Sequence, residues 1–166
     1  MSDPLRLKRA VYWSALPRTL SYRQRFALAL KAGFAGVETL TTKDPAQVEA
    51  IAEAAAETGL EIPTVINGGS WRYRLFSDER SEVDQAVDSI LTTLDNARRW
   101  GAGAIQIIPA YGQGGVALPE AYRRTQQVIR ERVLPVAESY GIVCGVENAW
   151  YSLVPGPLAY LRFIDE

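Results

Sequence analysis

An acid closes an apolar run late in this chain of 166 residues: Ile142-Val143-Cys144-Gly145-Val146-Glu147-Asn148. The run is short, partly β-branched and ended by polar residues, which is the pattern of a buried parallel strand. A carboxylate and a carboxamide emerge together at its C-terminal tip. Gly36-Val37-Glu38 ends in the same way. Two acids brought to one rim can move a proton, hold hydroxyls or bind a hard cation. In α/β folds ligands sit beyond the C-terminal ends of the strands, where loops and helix N-termini converge.

The sequence also excludes chemistry. It contains no histidine, so no Ser-His-Asp or Cys-His triad can form within it. A metal site would draw on carboxylate, carbonyl and water oxygens, which suit Mg²⁺ or Mn²⁺ better than Zn²⁺. The single cysteine, Cys144, cannot form an internal disulfide and reads as a small buried hydrophobe. A formal net charge of −1 supplies no attraction to nucleic acid or to an anionic membrane. The apolar stretches are too short for a membrane span, and Met1 to Arg6 has no apolar leader core. A cytoplasmic location is the expectation.

Five strand-then-helix units must position the acids. Strands are expected at Arg9 to Ser14, Phe34 to Glu38, Glu61 to Ile66, Ala104 to Pro109 and Ile142 to Asn148. Ser21 caps the first helix and Gly33 stops it. Asp44, Pro45 and Gln47 open the second with capping-box spacing, and Gly59 ends it. Ser81 starts a long third helix that Gly101 ends. Pro119 opens a fourth that runs to Gly141, and Pro157 begins a last one. The Gly112-Gln113-Gly114-Gly115 cluster lacks a basic partner and reads as a loop. No composition break divides the chain, so one domain over residues 1–166 is expected.

Alternating strands and helices give a parallel sheet with right-handed crossovers. Two architectures satisfy that rhythm. Length favours an open five-stranded sheet, because a complete TIM barrel has eight units. No glycine-rich phosphate loop follows the first strand, where such a sheet commonly carries one.

Gly33-Phe34-Ala35-Gly36-Val37-Glu38, the following helix and Gly59-Leu60-Glu61-Ile62 resemble the start of the xylose isomerase-like TIM-barrel superfamily. Gly141 to Asn148 resembles its fifth strand, and Asn67-Gly68-Gly69-Ser70-Trp71 its third-strand loop. The resemblance implies an α/β fold of (β/α)8 type, here a partial barrel of about five βα units, truncated after the fifth strand and the start of the next helix. It implies a sugar or sugar-phosphate isomerase or epimerase. The reaction would be proton transfer next to the carbonyl of a small sugar or polyol, assisted by Mn²⁺ or Mg²⁺. Glu147 would be both metal ligand and catalytic acid–base. Ser70 stands where members often place a histidine, and the family's remaining ligands lie on later strands.

Other residues join these as substrate-binding candidates. Glu38 can bind hydroxyls, or order neighbouring loops. Asn67 and Asn148 can bind hydroxyls, or turn the backbone. Trp13, Trp71 and Trp150 follow strand ends and can wall the apolar face of a sugar, or close the barrel core. Arg72 and Arg74 can meet an anion, or pair with Asp78 and Glu79. Two further readings stay open. One is a catalytically inactive remnant that binds a ligand or forms a homodimer through exposed barrel edges. The other is an open-sheet binding module in which Glu147 is structural.

Overall fold

Strand order separates the two architectures. In the computed structural model, β1 (Ala10–Tyr12), β2 (Gly36–Leu40), β3 (Thr64–Ile66), β4 (Ala104–Ile107) and β5 (Val143–Val146) lie side by side in chain order. All four pairings are parallel. The structure describes residues 7–109, 115–149, 153–154 and 156–166. An open doubly wound sheet reverses its order at a switch point so that helices cover both faces. An unreversed order with same-handed crossovers puts every helix on one side. The sheet is therefore the arc of a barrel, and the open-sheet alternative is corrected.

Register divides the residues between the two faces. Val37 pairs with Val11, Thr39 with Val65, and Val65 with Ile105. Val37, Thr39, Val65 and Ile105 of that set are buried with Phe26, Leu94 and Val133 from the helices, and Val11 is partly buried against them. The alternate set, with Tyr12 beside Glu38 and Gln106 beside Gly145, faces the inner side.

Local chemistry fixes the helix ends. Ser21 caps α1 (Tyr22–Lys31): its hydroxyl accepts the Gln24 N–H at 3.3 Å, and the Gln24 side chain accepts the Ser21 N–H at 2.9 Å. Asp44 caps α2 (Pro45–Thr58) through the Ala46 N–H. The expected capping box does not form there. The Gln47 amide donates to the Asp44 carboxylate, and the Asp44 N–H goes instead to the Thr42 hydroxyl. α3 (Arg80–Trp100) begins one residue before the expected Ser81, because the Ser77 hydroxyl takes the Glu79 N–H and closes the turn early. Gly59 and Gly141 end their helices at φ 68° and 66°, left-handed values that glycine adopts without strain.

Two prolines shorten what periodicity predicts. Pro63 cannot donate to a ladder, so β3 starts at Thr64 and Glu61 keeps only an isolated bridge to Gly36. The helix expected from Pro119 to Gly141 is interrupted. α4 (Leu118–Val128) passes through a π turn at Ile129–Val133 into α5 (Leu134–Tyr140). Pro135 has no N–H for the α-helical bond to Glu131, and the wider turn accommodates its ring. α6 (Pro157–Asp165) is the last element. Among the described residues, β1 and β5 each pair on one side only, and Val143 on β5 is 65% exposed.

Candidate active site

A cavity of about 610 Å³ opens along the inner face of the sheet, from Thr64 and Ala104 at the starts of β3 and β4 to Glu147 and Asn148 beyond the end of β5. Glu38 on β2, Thr64 on β3, Gln106 on β4, and Glu147 and Asn148 after β5 all line it. Glu147 is anchored through its backbone, whose N–H donates to the Ile107 carbonyl at 2.9 Å. The Gln106 amide donates to one Glu147 carboxylate oxygen. Tyr160 on α6 lines the cavity and donates its hydroxyl to the Val146 carbonyl at 2.9 Å, tying α6 to the strand that delivers the acid. Gly145 leaves the floor open, since a Cβ there would come within 3.3 Å of the Ile105 carbonyl.

Glu38 is half-buried, and its carboxyl is pushed above the usual carboxylate range. Burial is the larger cause and the Glu147 charge the second. Two carboxylates that sense each other and share a cavity are an arrangement for handling a proton.

Three of the anticipated residues, Glu38, Glu147 and Asn148, meet in the cavity. Three others lie elsewhere. Asn67 is buried, and its side chain serves the loop: Oδ1 accepts from the Gly69 N–H and the Ser89 hydroxyl, and Nδ2 donates to Ser70. Trp71 ends the short 3₁₀ turn Gly68–Trp71, half-exposed and outside the cavity lining. Trp13 stacks on Tyr22 at 4.8 Å and lines a different cavity. Trp150 and residues 112–114 lie outside the described residues. Arg74 does not pair with Asp78 or Glu79. It grips Glu82 through Nε and one guanidinium arm, because α3 turns that carboxylate back onto the loop. Cys144 is half-buried, and burial pushes its thiol up.

Sequence reasoning missed Gln106 and Tyr160. Gln106 carried a signal, being the one polar residue in Ala104-Ile105-Gln106-Ile107 and falling on the face opposite the buried isoleucines. Tyr160 carried none, because its partner is a backbone carbonyl.

The donors match a hard divalent ion in type but not in number. Mg²⁺ and Mn²⁺ take about six oxygens. Among the described residues no group of three His, Cys, Asp or Glu side chains comes together. Gln106 also occupies one Glu147 oxygen. The described residues alone do not enclose such a cation.

Solved structures with this architecture include sugar epimerases and an AP endonuclease family 2 protein. A D-tagatose 3-epimerase-like protein superposes with a TM-score of 0.80 at 18% identity, over 96% of this chain and 61% of its own. The 3-keto-D-glucoside 4-epimerase YcjR of E. coli gives 0.74 at 19%, over 89% and 58%. A family 2 AP endonuclease of Brucella melitensis gives 0.75 at 19%, over 96% and 64%. At these identities the likeness is one of fold. The chain spans about 60% of the length of these proteins. No curated protein matches it in sequence. Among the described residues no helix is long and apolar enough to cross a membrane. The xylose isomerase-like TIM barrel model matches residues 26–165, and the chain belongs to that family.

Proposed function

We propose that the inner-face cavity performs isomerase or epimerase chemistry, moving a proton on the carbon next to the carbonyl of a small sugar or polyol. The observation that carries this is the Glu147 carboxylate, fixed by Gln106 in a cavity it shares with Glu38. Gln106 holds one oxygen and leaves the other to take the proton and return it. Glu38, whose carboxyl is pushed above the usual carboxylate range by burial and by the Glu147 charge, holds a substrate hydroxyl on the opposite side. Asn148 and Thr64 offer further hydroxyl contacts. A Mn²⁺ or Mg²⁺ ion, where bound, would be held in part by Glu147 and would polarise the carbonyl. We place this chemistry in cytoplasmic carbohydrate metabolism, on one domain covering residues 1–166.

The test is solvent exchange. With MnCl₂ in D₂O, the protein is expected to introduce deuterium next to the ketone of D-fructose, D-tagatose or D-psicose, as read by NMR. Glu147→Gln is expected to abolish the exchange while leaving the circular dichroism unchanged. No exchange into any of the three sugars, or unchanged exchange in the variant, overturns the proposal. The short donor set favours a second reading, a silent arc that binds sugar or self-associates through β1 and β5. Sugar binding without exchange, together with a homodimer in sedimentation, would select it.

A further inference from the structure

A second cavity, of about 360 Å³, lies between the loop after β1 and the start of α1. Trp13, Ser14, Arg18, Ser21, Tyr22 and Arg25 line it together with Leu40 at the end of β2. Arg25 is only 8% exposed. Its Nε donates to the Leu20 carbonyl at 3.0 Å and one arm to the Arg18 carbonyl at 2.7 Å. Its guanidinium carbon lies 4.0 Å from the centre of the Trp13 ring, which is itself stacked on Tyr22. Carbonyl dipoles and an aromatic face hold the group in place but do not neutralise it.

A buried charge ordinarily has a counter-charge. Among the described residues Arg25 forms no ion pair with any carboxylate. No acid lines the cavity, and Arg18 adds a second cation. Asp44, whose charge acts on Tyr22, has its oxygens taken by the Ala46 N–H and the Gln47 amide. The guanidinium fork keeps N–H groups beyond the two hydrogen bonds it makes, and a planar fork matches two oxygens of one anion. The Ser14 and Ser21 hydroxyls are available as donors at the same wall.

We propose that this cavity is an oxyanion site, in which Arg25 receives the phosphate or carboxylate group of a small ligand over the Trp13–Tyr22 stack, with Arg18 at its edge. Leu40 and Glu38 alternate onto the same face of β2, about 6.5 Å apart along the strand. The site is therefore a neighbour of the inner-face cavity, and it stands independently of the chemistry assigned to Glu147.

The test uses inorganic phosphate and acetate as probes, by calorimetry on the intact chain. Millimolar binding of phosphate marks a phosphate monoester as the natural ligand group, and selective binding of acetate marks a carboxylate. Arg25→Met is expected to weaken binding about tenfold or more and Arg25→Lys less so, because lysine keeps the charge and loses the fork. Glu147→Gln is expected to leave the affinity unchanged, so failure here is distinct from failure of the isomerase reading. The Arg25→Met melting temperature should match or exceed that of the parent, since a buried uncompensated charge is removed. Absence of binding by either probe, or undiminished binding in both Arg25 variants, overturns the proposal.

Discussion

Glu147 raises the pKa of Glu38: the two carboxylates, from β5 and β2, face one cavity, and the charge on one disfavours the charge on the other. Removing the Glu147 charge takes away the like-charge push and leaves burial. In Glu147→Gln, the Glu38 carboxyl should titrate lower than in the parent but still above an exposed glutamate. A carbon-13 NMR titration of the side-chain carboxyl reads this directly, and an unmoved Glu38 would show that the two do not interact.

The same shift links stability to pH. A carboxyl whose folded pKa is raised contributes stability that is full below its unfolded pKa of about 4.3 and is lost as pH rises through the folded value. Glu38→Gln should therefore match or exceed the parent in melting temperature near neutral pH. The advantage should disappear in mild acid. A variant less stable than the parent at neutral pH would mean that the charged form makes a contact worth more than its burial costs.

Arg74 and Glu82 work in the opposite sense. The Arg74 fork, helped by the Ser77 hydroxyl, holds the Glu82 carboxyl at about 2. A depressed pKa contributes stability above the unfolded value, about 4.3, and loses it as pH falls toward the folded one. Solvent reaches part of the Arg74 side chain, so Glu82→Gln should cost only ~1 kcal/mol near neutral pH. Urea unfolding should show the gap closing as pH falls toward the folded pKa, and a gap independent of pH would assign the loss to packing.

Thr39 is 1% exposed on β2, and its hydroxyl finds no partner among the described residues. A buried donor left unmade carries its desolvation cost, whereas valine has the same shape without the hydroxyl. Thr39→Val should stabilise the protein by about 1 kcal/mol, seen as a higher denaturant midpoint at unchanged slope. A lower midpoint would reveal a partner for the hydroxyl.

Gly69 is held by a close approach. A Cβ there would lie 2.0 Å from the Ser89 hydroxyl oxygen and 2.5 Å from its Cβ, in the cluster that also holds Asn67. Gly69→Ala should cost about 2–3 kcal/mol through this overlap. Adding Ser89→Gly should recover part of that loss. No recovery would place the cost in the backbone of the turn.

The helix starts at Ser21 and Asp44, the glycine stops, and the strand that delivers Glu147 were legible in the sequence. Each is decided within about four residues, by a cap, a left-handed glycine or an apolar run. The alternation of elements fits both an open sheet and a barrel arc; the resemblance at Gly33 to Glu38 and Gly141 to Asn148 pointed to the arc, and tertiary structure decided the strand order itself. It also decided the neighbours of the chemical groups. Gln106 meets Glu147 only because β4 and β5 pair in one register. Arg25, one of the two arginines on α1, is buried only because the helix packs it over Trp13. Local hydrogen bonding sets where an element begins and ends. Which side chains then share a cavity follows from contacts between residues far apart in the chain, and spacing along one strand or helix does not encode them.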